Sequence, residues 1–189
     1  MARTPSPEAH EKVLDAAVRL IEERGIEGTS MDAIAELSGV SKATVYKHWK
    51  DKDALCVDVV NRLRVAPPEF HSGDPKRDLL SLLTHLAQAN RPARLMKILP
   101  KIVGYAASHP KFAATLRRSF VGPAELQIIR ILDEAGVRGL LATSVDREIA
   151  LNLLLGPILY CRMTRGSVPA KLPGTVVDGF WRSWGERIG

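Results

Sequence analysis

Apolar residues recur at intervals of three and four along almost the whole chain, which is the spacing that lines one face of an α-helix. No run alternates between apolar and polar positions as a half-buried strand does. The pattern predicts an all-α fold of about nine helices. Their expected ranges are roughly 7–24, 31–37, 42–49, 52–63, 75–90, 92–108, 110–136, 145–164 and 172–186.

Short helices near the N-terminus are marked by their capping residues. Ser30 and Ser41 each precede a short apolar-periodic run, and a serine oxygen can accept a backbone N–H left free at a helix start. Gly39 lies between the two runs and is expected to end the first helix. Further along, Pro100 and Pro123 lie inside predicted helices, and each is expected either to kink its helix or to divide it.

Proline and glycine also suggest where the chain divides. Pro67 and Pro68 are followed by the turn-forming stretch HSGDP. We therefore expect two domains, with residues 1–65 carrying the paired short helices and residues 66–189 forming a larger helical domain.

Composition places the chain among folded globular proteins, because 46% of its residues are hydrophobic and 25% are charged. Neither a signal peptide nor a membrane span is recognisable, so a cytoplasmic location without membrane association is expected. The cysteines, Cys56 and Cys161, have no CxxC partner or ligand-spaced histidine. The sequence thus indicates no disulfide framework, metal site or cofactor.

The net charge of +6 has to be located along the chain before it is interpreted. Residues 1–65 carry a net charge of −1 and residues 66–189 carry +7, so the total is not evidence for DNA binding by the first part. The local charge is more informative. Between positions 42 and 52 there is one acidic residue, Asp51, and there are four lysines: Lys42, Lys47, Lys50 and Lys52.

Two short helices joined by a glycine-containing turn are typical of a helix-turn-helix. At 3.6 residues per turn, Val45 and Trp49 fall on one side of the second helix, where they can reach the core. The other sides carry small or polar residues that suit a DNA groove: Ala43, Thr44, Lys47, Tyr46 and His48. Taken by itself, the same pattern is also that of a solvated helix face.

The run GTSMDAIAELSGVSKATVYKHWKDKDAL resembles the N-terminal signature of TetR-family transcriptional regulators. The visible departure is Trp49, where the family most often has phenylalanine. The matching positions are Gly28, Ser30, Ile34, Ala35, Gly39, Val40, Ser41, Thr44, Tyr46, His48, Lys52 and Leu55.

This resemblance implies a set of DNA-contacting residues. Lys42, Ala43, Thr44 and Lys47 would lie nearest the bases. The backbone phosphates would be contacted by Ser30, Tyr46, His48 and Lys52, and Ser41 completes the expected set. A phosphate contact of Lys52 is also favoured by a separate argument. This lysine lies beside a helix N-terminus, whose free N–H groups attract phosphate.

The C-terminal part is similar to one type of TetR-family effector domain in ASHPKFAATLRRSF, LDEAGVRGLL and VDREIALNLLLGPILYCRM. The resemblance implies a homodimer built on the last two long helices. The expected interface residues are Leu151, Leu154, Leu155, Ile158, Trp181 and Trp184. A pocket for an unknown small-molecule effector is expected from Met96, Leu99, Ile102, Val103, Tyr105 and Phe120. Plain core packing is the alternative for both sets.

Together these features predict a regulator that binds an inverted-repeat operator in double-stranded DNA and, as a repressor, is released by its effector. An activator is equally compatible with the sequence. An enzyme is disfavoured, because HExxH, GxSxG, Walker A and GxGxxG patterns are all missing. A helical adaptor that binds only protein is disfavoured by the combination of Ser30, Tyr46 and Lys52, which a protein groove would not require.

Overall fold

The computed structural model describes residues 7–64, 66–88, 93–142 and 145–185, and these ranges form an all-α fold, as expected. The helix ends predicted at 90, 92 and 186 lie outside the described residues. In chain order the α-helices are α1 (Pro7–Arg24), α2 (Met31–Ser38), α3 (Lys42–His48), α4 (Lys52–Leu63), α5 (Pro75–Gln88), α6 (Ala93–Ser108), α7 (Pro110–Leu116), α8 (Gly122–Val137), α9 (Arg147–Arg165) and α10 (Leu172–Trp184).

The two internal prolines have different effects. Pro100 lies inside α6, which continues through it. Before Pro123 the helix widens into a π-helical turn, Arg117–Val121, that joins α7 to α8. Proline has no N–H, and its ring crowds the carbonyl four residues earlier, here that of Ser119, and the wider π-helical turn accommodates this crowding. Counting 110–137 as one interrupted helix, the described ranges contain the expected nine.

The first compact unit contains α1 to α4 together with α6 and α7. Ile34, Val45 and Leu55 have no exposed surface and belong to one buried cluster, in which α2 and α4 pack on α1 and α3 packs on α2. Ile98 and Ile102 of α6 belong to the same buried cluster. Helix α6 therefore contributes to the core that supports the helix-turn-helix.

The second compact unit contains α5, α8, α9 and α10. Its core is built by leucines of α5 and isoleucines of α8, which pack with Leu154 of α9 and Phe180 of α10. No helix in the ranges that the structure describes is long and apolar enough to cross a membrane.

These units are not simply consecutive along the chain. The first segment of the first unit ends at Arg64, next to the boundary expected at residue 65, and a later segment that carries α6 and α7 belongs to the same unit. The functional division into residues 1–65 and 66–189 remains a prediction. Since helix periodicity shows only which face is apolar, it cannot show that α6 covers α1 and α4.

Candidate nucleic-acid interface

Helices α2 and α3 are held by side-chain caps on both sides of a tight turn. Ser30 Oγ accepts a hydrogen bond from the Ala33 N–H at 3.1 Å, and Ser41 Oγ accepts one from the Thr44 N–H at 3.2 Å. Gly39 closes α2 with a φ of +68°, in the left-handed region that favours glycine. These contacts set where α2 begins and ends and where α3 begins.

One side of α3 is buried and the rest is open. Val45 has no exposed surface, and Trp49, which follows the helix, is 3% exposed. Thr44 is half-buried, and its hydroxyl lies 2.8 Å from that of Ser41. The exposed side chains are those of Lys42, Ala43, Tyr46, Lys47 and His48. The structure thus brings the sequence-predicted reading residues together on an accessible surface.

Trp49 anchors the end of α3 to two other helices. Its indole Nε1 donates a hydrogen bond to Asp58 Oδ2 of α4 at 2.9 Å. His10 of α1 stacks on the indole with ring centroids 4.8 Å apart, and His48 lies 5.5 Å from it. Neither Asp58 nor His10 was predicted to belong to this site, because both contacts form between separate helices and depend on tertiary packing.

Lys42 is engaged by a neighbouring carboxylate in the absence of DNA. Its Nζ lies 2.6 Å from Oδ2 of Asp32, in the first turn of α2, and both side chains are more than half exposed. The hydrogen bond to Asp32, and then the negative charge of that group, raise the pKa of Lys42. The ion pair therefore holds the Lys42 ammonium toward Asp32 and places a negative charge beside it. Asp32 was not among the residues predicted for this site.

Lys52 lies in the first turn of α4, whose start is capped by Asp51 through a 2.8 Å hydrogen bond from the Ala54 N–H. The Lys52 ammonium donates to the backbone carbonyl of Ile26 at 2.8 Å. It also lies 5.7 Å from the centre of the Tyr105 ring. The lysine is half-buried and is held by the protein beside the helix start where a phosphate was expected.

The residues expected to line an effector pocket have different environments. Leu99 and Ile102 are buried, and Ile102 belongs to the core of the first unit. Val103 is 42% exposed. Met96, Tyr105 and Phe120 are half-buried.

The residues expected at a dimer interface lie largely inside the second unit. In α9, Leu154 has no exposed surface and Leu151, Leu155 and Ile158 are almost as buried. Trp181 and Trp184 of α10 are half-buried and pack on the same core. The large apolar side chains that α9 does expose are those of Ile149, Leu153 and Tyr160.

Two families match this chain. Residues 13–59 match the family described as Bacterial regulatory proteins, tetR family. Residues 70–179 match the family described as Tetracyclin repressor-like, C-terminal domain. The first match contains α2 and α3 with their connecting turn, and the second begins after α4.

Individual proteins give the same picture. The uncharacterized HTH-type transcriptional regulator YdeS of Bacillus subtilis is 30% identical over 159 residues, which cover 83% of this chain and 79% of YdeS. The HTH-type transcriptional regulator AqdR of Rhodococcus erythropolis is 27% identical, over 89% of this chain and 81% of AqdR. A TetR transcriptional regulator from Agrobacterium tumefaciens has a similar solved structure, with a TM-score of 0.69, 20% identity and 97% of both chains covered, and this likeness concerns the fold.

Proposed function

This chain belongs to the TetR family of bacterial transcriptional regulators, which are not enzymes, and we propose that it is a homodimeric repressor released from its operator by a small molecule. The resemblance of the helix-turn-helix segment to this family is thereby confirmed. A regulator of this kind acts on the chromosome, so the cytoplasm is its proposed location.

The observation that carries the proposal is the exposed polar face of α3, seated on the buried Val45 and Trp49. A helix held in this way can enter a major groove about 12 Å wide and present side chains to base edges. Those proposed to lie nearest the bases are Lys42, Ala43, Thr44 and Lys47. Those proposed to contact the phosphates, or to place the helix against them, are Ser30, Ser41, Tyr46, His48 and Lys52.

The dimer surface that we propose follows the exposed apolar stripe of α9. Ile149, Leu153 and Tyr160 are 54%, 44% and 63% exposed, and their spacing of four and then seven residues places them within an arc of about 40°. Leu154 has no exposed surface, so it supports this stripe from within the subunit. Pairing of two such stripes would give the two-fold symmetry that an inverted-repeat operator requires.

For the effector we propose an apolar small molecule that binds beside α6. Met96, Tyr105 and Phe120 are half-buried and so offer apolar surface that a ligand could cover. Ile102 instead packs in the core of the first unit, where α6 contacts α1. A ligand that prefers one position of α6 would shift the dimer away from the conformation that binds DNA.

Transcription in vitro tests this function. The operator is first selected from random DNA and placed across a promoter, and transcript yield is then measured as the protein is added. Repression predicts a yield that falls with the occupancy of the operator. A yield that rises would identify an activator, and failure to select any sequence would contradict the proposed function altogether.

A further inference from the structure

The side chain of Tyr105 lies where α4 begins and interacts with the first two residues of that helix, Lys52 and Asp53. The Lys52 ammonium is 5.7 Å from the ring centre, within the distance of about 6 Å over which a cation is attracted to an aromatic face. The Tyr105 hydroxyl donates a hydrogen bond to Asp53 Oδ1 at 2.9 Å. A single side chain of α6 thus engages both a cation and an anion of α4.

Tyr105 is itself held from several directions. His109 stacks on its ring with centroids 3.7 Å apart, and Phe112 meets it edge-on at 5.1 Å. Phe112 is buried in the core of the first unit. These contacts, together with the bond to Asp53, leave the ring little freedom to turn away from Lys52.

The hydroxyl of Tyr105 keeps its proton at every physiological pH. Burial, followed by the hydrogen bond to the negatively charged Asp53, raises the pKa of Tyr105 to about 12. The phenol therefore keeps the proton that it donates to Asp53.

We propose that Tyr105 is a positioning residue that fixes the Lys52 ammonium for contact with a DNA phosphate. This inference rests on the proposed function, in which Lys52 contacts the DNA backbone. An ammonium has three N–H donors. The Ile26 carbonyl takes one of them and the Tyr105 ring attracts the charge, which leaves donors available to a phosphate. Because the side chain is ordered before DNA arrives, less conformational entropy is lost on binding.

The test compares DNA affinity at several salt concentrations for a labelled operator duplex selected from random sequence. Tyr105→Met removes the ring but keeps apolar volume, and Tyr105→Phe keeps the ring. For Tyr105→Met we expect an affinity loss of about 3- to 10-fold. The negative slope of log K against log salt should become less steep by about 0.9, the contribution of one phosphate contact. Tyr105→Phe should keep the wild-type slope.

Lys52→Met gives the reference value for the missing contact, and adding Tyr105→Met to it should cause no further loss. A wild-type slope in Tyr105→Met, or an undiminished loss in the Lys52→Met background, would overturn the inference. If Lys52→Met itself keeps the wild-type slope, the phosphate contact in the proposed function fails. If only Tyr105→Met does so, the proposed function stands and this inference fails.

A second measurement uses only the wild-type protein, so it does not depend on whether a variant folds. The hydrogen bond to Ile26 should slow the exchange of the Lys52 ammonium protons with water, so that nitrogen-15 NMR detects them in the wild-type protein, both free and bound to the duplex. Their detection in both states is the expected result. Loss of the signal in the DNA complex, where the contact should be tightest, would contradict positioning by Tyr105.

Discussion

Trp49 and Asp58 are joined by a 2.9 Å hydrogen bond from the indole N–H to the carboxylate, which ties the end of α3 to α4. The tryptophan is buried, so removing its acceptor leaves a buried donor without its partner. For Asp58→Ala we expect a loss of about 1–3 kcal/mol in the free energy of unfolding. Urea denaturation followed by tryptophan fluorescence measures this loss. Glu8→Ala, which removes an exposed partner of Lys12, is the control and should change nothing measurable.

The Asp32–Lys42 ion pair competes with DNA for the first lysine of α3. Asp32→Asn should free this lysine and remove a negative charge near the phosphates. We therefore expect DNA of any sequence to be bound more tightly, by a few-fold at low salt, with little change in stability. Fluorescence anisotropy with operator and unrelated duplexes measures the effect.

Asp178→Asn is the matched control for that change. Asp178 is also an exposed aspartate bonded to a lysine, with Oδ1 2.8 Å from Lys76 Nζ, but it lies in the second unit. This variant should bind DNA like the wild type. Equal affinities for Asp32→Asn and the wild type would show that the ion pair does not restrain Lys42.

Leu153 and Leu154 are neighbours in sequence, yet they should respond differently to aspartate. Leu153→Asp places a charge on the exposed stripe, so we expect a folded protein that sediments as a monomer and binds the operator poorly. Leu154→Asp places the charge in the core and should unfold the second unit. Asn152→Asp, an exposed change on the same helix, should leave the dimer intact. A dimeric Leu153→Asp protein would contradict the proposed interface.

These neighbouring leucines also mark a limit of sequence reasoning. The helix at 147–165, the caps at Ser30 and Ser41 and the buried Val45 follow from apolar spacing and capping chemistry, both of which act locally. An apolar residue on a helix can be buried in its own subunit or against a partner, and periodicity alone does not separate the two. The expected interface set therefore fell mainly on core residues of α9.

In the candidate nucleic-acid interface, too, local features were predictable from the sequence and contacts between separate elements were not. Exposure of Lys47 and Tyr46 was predictable from their positions on α3, and the predicted DNA contacts are still to be tested. The partners of Lys52 and Trp49 come from α1, the loop after it, α4 and α6, and such pairings depend on tertiary packing. The π-helical turn before Pro123 was not predictable either, because a proline inside a helical pattern is compatible with both a kink and a division of the helix.

Cys56 should make stability depend on pH in the alkaline range. Burial raises the pKa of its thiol from 9.0 to about 12. Between these values the unfolded chain loses the proton while the native protein keeps it, so stability is complete below pH 9 and falls as pH rises. We expect a decrease of about 1 kcal/mol in the free energy of unfolding between pH 9 and 10 from this group. Urea titrations of the wild type and Cys56→Ala measure it, and a decrease of the same size in both would contradict this assignment.

Selection from random DNA with the wild type, Lys47→Ala and Lys97→Ala tests directly whether α3 reads the DNA sequence. Lys97 is an exposed lysine of α6 and serves as the control for loss of charge. For the wild type we expect an inverted repeat, with half-sites on one face of the duplex about 34 to 36 Å apart. Lys47→Ala should relax or change the preferred base at one position in each half-site, whereas Lys97→Ala should select the wild-type sequence. Recovery of the wild-type sequence with unchanged affinity by Lys47→Ala would contradict the assignment of α3 as the reading helix.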